Sequence, residues 1–193
     1  MTKFYKKNNK ENGFTLIEVI VAIFVFSVAV LAVMASLSQG LSSESYTKKK
    51  VTATFLAQEG VEYFRNIRDT SMLYSDDKVV GWSDFISKLE EAGCQNDTGC
   101  YFDDINLNSI GSITMPIMQI KISPCNEVCP NMLFDESSST FGYTLGGDSG
   151  FVRQMKVEET SLEEVKIISK VSWTQNGRTN TVSFSENLSD WIE

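Results

Sequence analysis

Gly147-Asp148-Ser149-Gly150 is the string that most resembles a catalytic motif. A serine in such a loop becomes a nucleophile only when a base, normally histidine, takes its proton. The chain contains no histidine. The string therefore reads as a glycine-containing loop that leads into a strand. The acidic pairs Asp76-Asp77 and Asp103-Asp104, together with Asp97, are calcium-ligand types. They lack the spacing of a calcium loop and read as solvated acids. No glycine pattern of phosphate-cradling spacing occurs either. These absences point away from an enzyme, and no cofactor or metal is expected.

The residue in the strangest place is Glu18. It is the one charge in an otherwise apolar run of 24 residues, 14–37, whose other polar members are Thr15, Ser27 and Ser36. A helix of that length reaches roughly 36 Å, enough to cross a hydrocarbon core of about 30 Å. The run is too long for the apolar core of a secretory signal, although Val33-Met34-Ala35 could pass as a cleavage site. A carboxylate at the centre of such a span costs on the order of 2.5–3.5 kcal/mol, and less near the interface. An acid kept there is a functional candidate.

Its neighbours supply a partner. A cut between Gly13 and Phe14 would give Phe14 a free amine, four positions before Glu18 and so on the same helical face. Glu18 also sits near the helix start, where negative charge is favoured. Amine and carboxylate could neutralise each other in a low-dielectric setting. Between neighbouring helices that pairing would select one axial stagger, and Thr15 could add a hydrogen bond.

Ahead of the span lie four lysines (Lys3, Lys6, Lys7, Lys10) and one acid (Glu11). The first 13 residues thus carry +3, which leaves −11 of the net −8 for the rest. An acidic body argues against bulk binding to nucleic acid.

Gly13-Phe14-Thr15-Leu16-Ile17-Glu18, behind a lysine-rich leader and before a long apolar run, closely resembles the type IV prepilin signal. The resemblance implies cleavage after Gly13 by prepilin peptidase, methylation of the Phe14 amine, and a docking role for Glu18 in a filament. It also implies other pilin subunits, an assembly platform and the lipid membrane as partners. The expected location is the inner membrane, single-pass with the head outside, and then an extracellular filament. One departure is the lack of a proline in the apolar half, since the first of the chain is Pro116. LAQEGVEYFRNIRD is similar to the corresponding segment of minor prepilins. An alternative is a binding module at a pilus tip, with DNA or a surface ligand as its target.

The expected fold is α+β and pilin-like: a long N-terminal helical spine packed on a C-terminal antiparallel sheet. The expected divisions are a cleaved leader over 1–13, a membrane or filament-core helix over 14–37, an amphipathic continuation over 38–69, and a globular head over 70–193. Leu56, Tyr63, Phe64 and Ile67 give the continuation its apolar face. Gly40 and Gly60 weaken that helix by about 1 kcal/mol each relative to alanine. Lys48-Lys49-Lys50 reads as a solvated helix face. Within the head, 70–150 reads as loop-rich, with a short helix DFISKLEEA capped by Ser83 and stopped by Gly93. Strands are expected over 151–157, 165–173 and 179–185, the last two joined by the tight turn Asn176-Gly177. Leu188, Trp191 and Ile192 would fold back onto the sheet.

Cys94, Cys100, Cys125 and Cys129 all follow the span. Outside the cytoplasm they read as disulfides, with three possible connectivities, of which the two local pairs are preferred. A four-thiolate zinc site would be the alternative, but C-x5-C and C-x3-C are not its usual spacings.

Overall fold

The computed structural model describes residues 13–103 and 121–190. The leader up to Asn12, and with it the four leader lysines, lies outside the described residues, as do Asp104, Pro116, Trp191 and Ile192. The chain divides into two compact units, Met1–Ser45 and Tyr46–Glu193. Helix α1, Leu16–Tyr74, contributes to both.

In the first unit the helix contains no proline and runs through Gly40 without a break. Its large apolar side chains are exposed, from Leu16 at 78% to Leu37 at 59%. It is long and apolar enough to cross a membrane, and none of its most apolar window is buried within the protein. Exposure of that kind is stable only against lipid or other apolar helices.

In the second unit α1 lies on an antiparallel sheet of seven strands. The helix runs five residues past the expected end at Asp69, to Tyr74. The stretch 70–150 is more ordered than its composition suggests. It holds helix α2 (Lys78–Glu91) and strands β1 (Cys100–Phe102), β2 (Ile122–Pro124), β3 (Asn131–Asp135) and β4 (Thr140–Gly142). Helix α2 starts earlier than a Ser83 cap would allow. Asp77, in extended conformation, accepts from the Val79 amide at 3.0 Å and is the real cap. Ser83 is interior, and its hydroxyl donates to the Val80 carbonyl. Gly93, with φ of +68°, ends the helix. Its amide bonds to the Glu90 carbonyl and that of Cys94 to the Leu89 carbonyl, so two orphan carbonyls are satisfied.

The long strands are β5 (Gly147–Ser161), β6 (Glu164–Gln175) and β7 (Arg178–Ser189). Strand β5 is central. Strand β6 pairs along one side of it, while β3 and β1 pair at successive places along the other. The β6–β7 hairpin turns at Asn176 (φ +52°) and Gly177 (φ +72°), the two positive-φ positions that Asn-Gly favours. Leu188 is buried, but inside β7 rather than in a returning tail.

Alternation on β5 turns Phe151, Arg153, Met155 and Val157 toward the interior. Two apolar clusters form along α1. One joins Ala53, Leu56 and Ala57 to Met132, Phe151, Val171 and Trp173. The other joins Val61, Phe64 and Ile67 to Phe85, Leu89, Phe102, Met155 and Ile167. Gly60 separates them. A Cβ there would sit 2.5 Å from Ser169 Oγ and 2.8 Å from Met155 Sδ. The glycine costs helix propensity because it lets helix and sheet approach closely. Gly60→Val is therefore expected to destabilise the protein by about 1–3 kcal/mol through overpacking. The urea midpoint, followed by fluorescence of the buried Trp82 and Trp173, measures it. An unchanged midpoint would show that the approach is not needed.

Candidate processing and assembly site

Gly13 and Phe14 precede the helix in irregular backbone, and both are exposed. Phe14 is 81% exposed. Nothing lies within 4 Å of where a Gly13 Cβ would be. Thr15 is the residue on which the helix starts. Its carbonyl accepts from the Glu18 amide at 3.1 Å and the Val19 amide at 3.2 Å, and its Oγ1 accepts from the Glu18 amide at 3.4 Å. Thr15 and Glu18 therefore occupy the cap and third positions of a Thr-x-x-Glu start. That signal was available in the sequence, and it makes Thr15 the helix cap. Glu18 lies in the first turn, where the free amides of the helix favour an acid. The site thus places an exposed aromatic residue just before the helix and a carboxylate in its first turn, at the start of a long apolar run.

The four cysteines are far from this site in sequence and form two disulfides, Cys94–Cys100 and Cys125–Cys129. Strand pairing sets them side by side: Cys100 lies opposite Pro124, and the Cys125 amide bonds to the Gly99 carbonyl at 2.9 Å. The Gly147-Asp148-Ser149-Gly150 string is the start of β5 rather than a loop. Its Ser149 hydroxyl donates to the Met132 carbonyl at 2.6 Å, a structural bond between β5 and β3. Among the described residues, no group of three or more His, Cys, Asp or Glu could hold a metal ion. Asp76 and Asp77 join the two helices, and Asp77 is committed to the cap of α2.

The residue that sequence reasoning missed is Arg153. It is 1% exposed. Its Nη1 meets Glu59 Oε2 of α1 at 2.9 Å, and its guanidinium carbon lies 4.0 Å from the centre of the Phe102 ring. Tyr143 is close to it. Burial pushes the Tyr143 phenol above its usual pKa, and the Arg153 charge pulls against that. Arg65 and Arg68 make further ties between α1 and β7, the first through Glu186 and the second through the Ser189 carbonyl at 3.2 Å. The Arg65 guanidinium is held above its usual pKa chiefly by the Glu186 hydrogen bond.

Residues 8–34 match the prokaryotic N-terminal methylation motif. That motif is characteristic of type IV pilin-like prepilins, and it is a structural motif rather than an enzyme signature. The long N-terminal helix followed by a C-terminal antiparallel sheet is an α+β, pilin-like arrangement. No curated protein and no solved structure matches the chain.

Proposed function

We propose that this chain is a minor pilin or pseudopilin. Prepilin peptidase cuts it after Gly13, the new Phe14 amine is methylated, and the helix from Phe14 onward anchors the subunit in the inner membrane. An assembly platform then moves it into a filament beside other pilin subunits. In lipid, and later among neighbouring helices, the apolar face of residues 14–37 is held by the hydrophobic effect. Glu18 pairs with a Phe14 amine, within the chain or on a neighbour, and sets the axial register. The head formed by residues 46–193 is exposed outside, where both disulfides are stable.

The observation that carries this reading is the methylation motif at 8–34, continuous with a helix whose most apolar window is long enough to span a membrane and is not buried within the protein. Mass spectrometry of the mature N-terminus tests it. The expected chain begins with N-methyl-Phe14. A chain beginning at Met1 or Ser36 would overturn the proposal.

A further inference from the structure

Large apolar side chains gather at the end of the head where α1 finishes. Leu73 is 74% exposed, Val79 75% and Leu162 96%, with Tyr74 and Val80 also exposed. Three segments meet there: the last turn of α1, the first turn of α2 and the turn between β5 and β6. A Cβ on Gly81 of α2 would lie 2.7 Å from the Ser71 carbonyl of α1, and Trp82 Nε1 donates to the Leu162 carbonyl at 3.0 Å. The same segments send Met72, Trp82 and Val165 into the core, so the outward apolar residues are surplus to it. Exposed apolar residues scattered singly need no explanation, but a group at one end of a domain marks a contact surface.

The surface carries a strong charge of one sign. Residues 71–80 and 158–164 hold six acids, Asp76, Asp77, Glu158, Glu159, Glu163 and Glu164, against one cation, Lys78. The fold engages three of the six. Asp77 caps α2, Glu158 meets Lys166 at 3.2 Å, and Glu159 accepts from Gln95 at 3.0 Å. Among the described residues no cation pairs with Asp76, Glu163 or Glu164. The Asp190 amide donates to the Glu163 carbonyl at 3.1 Å, which brings a further acid to that corner.

This combination selects its partner. An uncharged apolar surface would strip water from the carboxylates and return no opposite charge. An acidic protein, or an anionic lipid surface, would be repelled. A cationic amphipathic helix meets both demands, because its apolar stripe covers the apolar residues while its flanking lysines or arginines reach the acids. We infer that this end of the head binds a cationic amphipathic helix of another protein. Leu73, Val79 and Leu162 form the centre of the contact, and Asp76, Glu163 and Glu164 form its rim. The inference goes beyond the filament reading and does not depend on it.

Synthetic helical peptides added to the full-length chain in nanodiscs of neutral lipid test it, with empty nanodiscs as the blank. The probe is a peptide of about 14 residues with leucine at i, i+3, i+4 and i+7 and lysine elsewhere. One control replaces every lysine by glutamate. The other rearranges the same lysines and leucines so that no apolar stripe forms. The probe is expected to bind at least about tenfold more tightly than either control. Leu162→Ser with Val79→Ser should weaken it about tenfold, and Asp76→Lys with Glu163→Lys should reverse the order of the lysine and glutamate peptides. All four residues are exposed and the Asp77 cap is retained, so the fold should persist, which far-UV circular dichroism checks. Carbodiimide coupling of probe lysines to the unaltered chain, mapped by mass spectrometry, is expected at Asp76, Glu163 and Glu164, and it decides the matter if a variant fails to fold. Equal affinity for the three peptides, unchanged affinity in either variant pair, or coupling spread over other carboxylates overturns the inference. A rise of about tenfold in affinity on deletion of residues 191–193 would give the surface to the chain's own end and also overturn it. None of these outcomes bears on the cut after Gly13, so the filament proposal stands or falls separately.

Discussion

Glu18→Ala should leave the cut after Gly13 intact and reduce incorporation into filaments by at least about tenfold, the factor that corresponds to 1.4 kcal/mol. The bond proposed to be cut, Gly13–Phe14, lies outside the helix that holds Glu18. Removing a charge from the apolar run also lowers the insertion cost, so the variant should reach the membrane at least as well. The loss falls at the next step. An amine on Phe14 that enters a low-dielectric helix bundle without a partner is costly, because breaking one side of a buried pair leaves the other charge uncompensated. Subunit counted by immunoblot in sheared filament against membrane measures the effect. Thr15→Ala separates this role from simple helix capping. A cap contributes about 1 kcal/mol, and its loss should weaken Thr15 and Glu18 variants alike. If Glu18 acts through pairing, its variant is much the more severe. Equal effects, or normal incorporation of Glu18→Ala, would remove the proposed role.

Arg153→Ala should destabilise the head by about 3–5 kcal/mol, whereas Arg153→Met should cost little or stabilise it. The alanine variant leaves a void beside Phe102 and removes the Arg153–Glu59 ion pair. Glu59 is partly exposed, so water recovers some of that loss, and the void then accounts for most of it. Methionine fills the volume with a flexible apolar chain and removes the desolvated charge as well. Thermal unfolding monitored by near-UV circular dichroism distinguishes the two variants. If both are equally damaged, the ion pair rather than the volume is what the site requires. If neither is affected, Arg153 is not a structural tie.

Local patterns announced the spine and the last hairpin. The apolar run, the Thr15–Glu18 start and the Asn176-Gly177 turn are each legible because one short segment settles its own conformation. Strands β1 to β4 were not. They are three to five residues long and are strands only because β5, or a neighbour paired to β5, supplies the missing hydrogen bonds. Strand β5 was legible over 151–157, the centre of its Gly147–Ser161 span. The role of Arg153 within it was not, because its partner Glu59 lies 94 residues away on α1. Helix α2 was shortened because Val79 and Val80 point to solvent, so they add nothing to the apolar face by which a helix is recognised. At the N-terminal site the residues that matter are consecutive, and a consecutive motif needs no fold to be read.

The placement of the disulfides has a mechanical consequence. Both lie within residues 94–129, and neither includes a residue of α1. Tension drawn along the spine of a filament therefore reaches the sheet with no covalent cross-link between them. The seam that bears it in shear is the packing on either side of Gly60, the Arg153–Glu59 pair, and the arginine ties to β7. The cross-links instead protect the β1–β2 corner after that seam has slipped. A head pulled from its helix would come away with that corner still knotted.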